Sequence, residues 1–159
     1  MRPTAEALRA AMMELVADVL AGARVLDLFA GTGALGLEAL SRGARYCDFV
    51  ENGPAALHSL KANVAALRLR EKTRIYDRDA IPFVERIPAD RYDITFADPP
   101  YGSRKLNRVV KYWQTVPFTA LLVLEHAPDH EGLPPGRRQR FGDSAVTVLR
   151  APGPKHSAA

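Results

Sequence analysis

The sequence predicts a doubly wound α/β fold: a mostly parallel seven-stranded sheet, helices on both faces and a C-terminal antiparallel hairpin. Three observations predict it. Short apolar runs alternate with stretches whose apolar residues recur at three-to-four spacing. A Gly-rich turn follows the first run. The last two runs are separated only by Gly142 and Asp143, a two-residue hairpin connection.

The elements follow in order. Thr4 is placed to cap a first helix carrying Leu8, Met12, Leu15 and Val19, which Gly22 ends. Residues 24–29 (RVLDLF) form a buried strand. A glycine-rich turn leads into a helix reaching Arg42 and closed by Gly43. Residues 46–51 form the second strand. Pro54 opens the next helix, with Leu57, Leu60, Val64 and Leu67 on its apolar stripe. Residues 74–76, 92–97 and 120–125 supply three further strands, with a helix at 105–114 between the last two. Residues 137–141 and 145–150 form the hairpin. Residues 1–151 read as a single domain and 152–159 as a flexible tail.

The bulk properties narrow the function classes. A chain of 159 residues suits one core. No apolar run reaches the roughly 18 residues that a membrane span requires. Cys47 is the single cysteine, so neither a disulfide framework nor a cysteine metal cluster is expected, and a cytoplasmic setting fits. Cys47 itself reads as strand packing, and Trp113 and Phe118 as core or edge packing. His58, His126, His130 and His156 lack ligand spacing, so no metal is expected; His126 reads as hydrogen-bonded near the surface. The net charge of +4 is unevenly spread: residues 1–100 carry −1 and residues 101–159 carry +5. Arg104, Lys105, Arg108, Lys111, Arg137, Arg138 and Arg140 are candidates for a phosphate-binding surface. The alternative is a solvated face that only aids solubility.

In sheets of this kind, ligands bind beyond the carboxyl ends of the strands. The turn after the first strand reads Asp27-Leu28-Phe29-Ala30-Gly31-Thr32-Gly33. Its glycines permit a sharp turn and close approach of a ligand. A tight turn without a ligand, or a dinucleotide site, would carry the same glycines. Asp27 weighs against the dinucleotide, since an acid beside the loop repels a pyrophosphate. A buried carboxylate there calls for a cationic or N–H-rich partner, and S-adenosylmethionine carries both an ammonium and a sulfonium. Glu51, with Asn52 beside it, ends the second strand where a carboxylate accepts ribose hydroxyls. Asp79, followed by Ala80, is placed to accept from an adenine amino group. Surface solvation and helix capping are the competing roles for these acids.

The sharpest signal is Asp98-Pro99-Pro100-Tyr101 after the fourth strand. The lone pair of a nucleobase amino group is delocalised into its ring. Two acceptors that hold its two N–H bonds, here the Asp98 side chain and the Pro99 carbonyl, localise that pair and aim it. The prolines fix the backbone and remove competing donors. The Tyr101 ring offers a stacking surface worth ~1–3 kcal/mol. Without chemistry, these four residues are a Pro-rich turn.

Together the two motifs resemble class I methyltransferases that act on amino nitrogens, with a Rossmann-like sheet. Arg2-Pro3-Thr4, VLDLFAGTGALGLEALSRGA at 25–44, Glu51, Asp79-Ala80, DPPY at 98–101 and Phe141-Gly142-Asp143-Ser144 resemble the bacterial 16S rRNA guanine-N2 methyltransferase family, RsmD. The resemblance implies S-adenosylmethionine against Asp27, Phe29, Gly31, Gly33, Glu51 and Asp79, and a guanine at residues 98–101. It implies 16S rRNA in the small ribosomal subunit or its precursor as partner; a monomer is expected. Members usually carry a basic β-hairpin ahead of the Arg-Pro-Thr segment, which is lacking here, and a glutamate-rich segment where this chain has Glu125-His126-Ala127. Other readings are an adenine-N6 methyltransferase on DNA or RNA, a non-catalytic RNA- or cofactor-binding module, and an NAD-dependent oxidoreductase.

Overall fold

The computed structural model describes residues 5–100 and 102–152. Arg2, Pro3 and the Thr4 cap, Tyr101, and the tail from residue 153 onward lie outside the described residues.

The fold is a Rossmann-like, doubly wound sheet of seven strands. They are β1 (Arg24–Leu28), β2 (Tyr46–Val50), β3 (Thr73–Tyr76), β4 (Tyr92–Ala97), β5 (Thr119–His126), β6 (Arg137–Phe141) and β7 (Ser144–Arg150). Their order across the sheet is β3-β2-β1-β4-β5-β7-β6. The first five run parallel, and β7 pairs antiparallel with both β5 and β6. The central strands read as continuous apolar runs because both of their faces are covered. Gly142, at φ 63, supplies the positive φ that the two-residue turn between Phe141 and Ser144 requires.

Alternation along each strand sorts side chains into two layers. Val25, Phe49, Phe96 and Val123 face α1 (Ala5–Leu15), α2 (Ala17–Leu20), α3 (Ala34–Ser41) and α4 (Pro54–Ala66). Leu26, Leu28, Leu122 and Leu124 face α5 (Ala80–Val84) and α6 (Lys105–Thr115). Each large apolar side chain so buried contributes roughly 1.5–3 kcal/mol. The layers matter for function because they fix which side of the sheet each strand-end residue points to.

Four elements differ from the sequence expectation. The first helix breaks at Val16, whose φ of −119° and ψ of 14° leave the helical region. Val16 is fully buried, and the bend lets Leu15, Val16 and Leu20 all reach the core. The short helix α5 was not expected; five residues are too few to show a helical period, and Pro82 reads as a breaker. Pro82 is tolerated because its missing N–H falls in the first turn, where no intrahelical acceptor exists. Finally, Phe29 and Glu51 fall one residue beyond their strands. Phe29 has turned to φ 63, and the chain continues through Ala30 N–H donating to Val50 O at 3.0 Å.

Candidate active site

The chain leaves β1 to build β2 and β3 on one side, then returns to lay β4 on the other. The carboxyl ends of β1 and β4 are therefore adjacent and their following loops diverge, which opens a crevice. Residues 29–33 form one wall and residues 98–100 the other.

The glycine loop is held from below. Asp27 is 2% exposed, and its Oδ2 accepts the Gly36 N–H at 3.0 Å. A side chain at Gly36 would come within 2.5 Å of Phe49 and 2.6 Å of Cys47, so glycine is what lets α3 start this close to the sheet. Glu51 ties the loop to the next strand end. One of its oxygens accepts Gly31 N–H at 2.7 Å and the other accepts Gly53 N–H at 2.8 Å. Thr32 O accepts from the Asn63 side chain at 3.0 Å. The loop is thus preformed by the chain's own hydrogen bonds, and each Glu51 oxygen keeps acceptor capacity.

Above the loop lies a cavity of about 640 Å³, within the range of small-molecule sites. Of the expected site residues, Phe29, Glu51, Asn52, Asp98, Pro99 and Pro100 line it. Ala30 to Gly33 form the turn beneath, and Asp27 lies at the end of β1. Asp79 is set apart: it lines a separate hollow of about 610 Å³ with Tyr76, Phe83, Arg86 and Arg91, and Ala80 is buried as the first residue of α5. Tyr101 lies outside the described residues.

The electrostatics of the crevice are unusual. Burial pushes the Asp27 carboxyl up to about 8; the Gly36 N–H opposes this, while Asp98 and Glu51 reinforce it. Asp98 is pushed up to about 7, first by burial and then by the charge and the hydrogen bond of Glu125. An anionic ligand would raise these values further. A cationic one would relieve them, because an opposite charge favours the ionised form.

Several lining residues were not singled out for the cavity by sequence reasoning. Glu125, Ser144, and Ala5 and Leu8 of α1 complete its wall. Glu125 carried a readable signal, since it closes the apolar run of the fifth strand as Asp98 follows that of the fourth. Lys105, expected as a phosphate contact, opens α6 and lines the cavity, with its Nζ 5.9 Å from the Phe29 ring centre. His126 is not near the surface as expected. It is buried within β5, with Nδ1 2.8 Å from Ala127 O and Nε2 2.7 Å from Thr147 Oγ1. The carbonyl requires a donor at Nδ1, so Nε2 accepts, and burial holds the ring neutral by lowering its pKa. Cys47 and Trp113 are buried as expected. No helix among the described residues is long and apolar enough to cross a membrane.

Comparison with known proteins agrees with this architecture. The family model described as "Conserved hypothetical protein 95" matches residues 1–147. The chain is 30% identical over 163 residues to "Putative rRNA methyltransferase YlbH" of Bacillus subtilis, covering 96% of this chain and 89% of that one. It is 34% identical over 110 residues to "Ribosomal RNA small subunit methyltransferase D" of Escherichia coli, covering 69% of this chain and 54% of that one. The second match therefore spans only about half of its relative. Among solved structures, "Putative methyltransferase yhhF" from Escherichia coli superposes with a TM-score of 0.82 at 29% identity, covering 94% of this chain and 87% of that one. With its switch-point crevice and its glycine loop, the chain belongs to the conserved hypothetical protein 95 family, as a class I S-adenosylmethionine-dependent methyltransferase related to the RsmD-like rRNA methyltransferases.

Proposed function

We propose that this chain methylates the N2 amino group of a guanine in the 16S rRNA of the small ribosomal subunit or its precursor. The observation that carries this reading is a single cavity lined by Phe29, Glu51 and Asn52 on one side and by Asp98, Pro99 and Pro100 on the other. The names of the relatives support RNA as the substrate class.

The residues present fit the cofactor. Asp27 is buried and Asp98 half-buried, and among the described residues no cation offsets the burial of either carboxyl, which suits a sulfonium and an ammonium. Glu51, fixed through Gly31 and Gly53, presents the remaining acceptor capacity of both oxygens to ribose hydroxyls. Asp79, which lines a separate hollow, is the proposed acceptor for the adenine amino group. When bound, S-adenosylmethionine supplies an electrophilic methyl group.

The rest of the work falls to the chain. Asp98 and the Pro99 carbonyl hold the two N–H bonds of the amine, so that its lone pair points into the cavity. Pro99 and Pro100 offer no N–H to compete for those acceptors. Holding the amine in line converts a bimolecular encounter into an oriented one. If the guanine starts in a helix, extruding it costs a few kcal/mol; stacking on Tyr101 is the proposed offset.

Incubating undermodified small subunits with labelled cofactor, digesting the RNA and identifying the nucleoside tests the proposal. Label in N2-methylguanosine is expected. Label confined to adenine, or none in any RNA, would overturn it.

A further inference from the structure

The register of the sheet sets a second carboxyl beside Asp98. Ala97 of β4 pairs with Leu124 of β5, so one step further Asp98 stands across from Glu125. Both continue the alternation of Phe96 and Val123, which face the α1 side of the sheet. Both line the 640 Å³ cavity, together with Phe29, Pro99 and Lys105. Glu125 and Asp98 are hydrogen-bonded to each other. Two carboxyl groups in that contact cannot both be ionised, so they hold one proton between them. A carboxylate has about four lone-pair sites, so a hydrogen bond within the pair does not exhaust its acceptor capacity.

We propose that Glu125 determines which base this site accepts: it takes the N1–H of a guanine whose amino group is held by Asp98. This rests on the methyltransferase reading above and deepens it.

The argument is one of donor and acceptor order. Three bases carry an exocyclic amine. Guanine presents two donors side by side on its pairing edge, N1–H and the N2 amino group. Adenine and cytosine each place a bare ring nitrogen, an acceptor, beside the amine. A flipped base is read along this edge. Two adjacent acceptors complement guanine alone. With adenine or cytosine in the same pose, a ring lone pair would face the Glu125 oxygens, and the one proton of the pair already lies between the two carboxyls. An unmatched pairing of buried polar groups is what rejects a wrong substrate most strongly.

Lys105 does not reverse this order. It opens α6, a different element from either carboxyl, with its Nζ 5.9 Å from the centre of the Phe29 ring. Its charge strengthens the acceptors without adding a donor to the β4–β5 wall.

The test compares wild type with Glu125→Gln on undermodified small subunits, with labelled cofactor and nucleoside identification. Glutamine keeps the length of the side chain but adds an N–H₂ donor. For guanine, kcat/KM should fall about 10- to 100-fold, the discrimination that one good base-edge pair gives. The share of label in adenine and cytosine should rise. The melting temperature should stay close to that of wild type, which a general loss of structure would not allow. A Glu125→Gln protein with wild-type melting temperature, wild-type kcat/KM and label still confined to guanine would overturn the inference. If Glu125→Gln does not fold, Glu125→Asp decides: the retained but withdrawn carboxyl should raise KM with label confined to guanine, and unchanged kinetics would overturn the idea. Wild-type label in guanine with an indifferent variant sinks this inference alone. Wild-type label only in adenine sinks the guanine reading with it.

Discussion

The two ends of the sheet carry similar acids in opposite circumstances. At the amino end every buried or half-buried carboxylate has a cation or a hydroxyl. Asp93 accepts from Arg24 Nε at 3.1 Å and from the Arg24 backbone N–H at 2.8 Å, and its pKa is lowered. Asp48, 2% exposed, accepts from Tyr92 Oη at 2.6 Å and lies 3.5 Å from Arg91. The Arg91 guanidinium also lies 4.7 Å from the centre of the Tyr92 ring. At the carboxyl end Asp27 and Asp98 are pushed up to about 8 and about 7; Asp98 lines the cavity, Asp27 is buried against the Gly36 N–H, and among the described residues no arginine bonds to either. One end uses its charges to close the sheet. The other keeps its acids where burial disfavours their charge, which a ligand of opposite charge would relieve.

The largest expected effect breaks the carboxyl end. Asp98→Ala should lower methyl transfer by about 10²–10³-fold, the loss typical of one preorganised polar group at a reacting centre. Its melting temperature should stay close to that of wild type, because the half-buried carboxyl that is removed stands against the charge of Glu125. A labelled-methyl assay beside a thermal melt checks both. The mirror experiment breaks the amino end. Asp48→Ala strands the buried Tyr92 hydroxyl and should cost roughly 2–3 kcal/mol in a denaturant melt. Cofactor affinity of the folded variant should not change; a tenfold loss would mean that the ends are not independent.

Next comes pH. The folded values of Asp27 and Asp98 lie above their unfolded ones, so between about pH 4 and 8 the folded state binds more protons. Their contribution is complete below the unfolded pKa and is lost as pH rises through 7 to 8, at up to about 1.4 kcal/mol per pH unit for each group. Asp93 acts with the opposite sign: its contribution is present above the unfolded pKa and is lost on acidification. Urea midpoints of wild type and Asp27→Asn across pH 5–8 should converge at low pH and separate at high pH. Binding of the cationic cofactor should strengthen over the same range. A smaller effect is expected from Arg24→Met, about 1 kcal/mol, since both partners are 30% exposed and solvent screens them. The smallest concerns RNA affinity. Replacing Arg137, Arg138 and Arg140, all exposed on the edge strand β6, with Gln should flatten the slope of log K against log salt by about 0.7 per lost phosphate contact.

Much of this arrangement was legible in order but not in depth. The strand-end positions of Asp27, Glu51, Asp98 and Glu125 follow from where apolar runs stop, and apolar runs are a property of sequence. Burial at Val16 overrode the helical period that Leu8, Met12, Leu15 and Val19 spell out. His126 looked like an exposed strand end because its partner, Thr147, lies 21 residues away across an antiparallel pairing. Asp79 reads like a neighbour of Glu51, yet it opens α5 and lines a different hollow.

By itself the sequence determined the sheet, its hairpin and the chemical types gathered at its carboxyl edge. Periodicity and glycine positions are local, and each is settled within a few residues. Only the tertiary structure decided that Asp98 stands beside Glu125, that Glu51 is clamped between two glycine N–H groups, and that Asp27 is too deeply buried to ionise readily. Those properties depend on the register between strands and on the exclusion of water, and neither is written in any one segment of the chain.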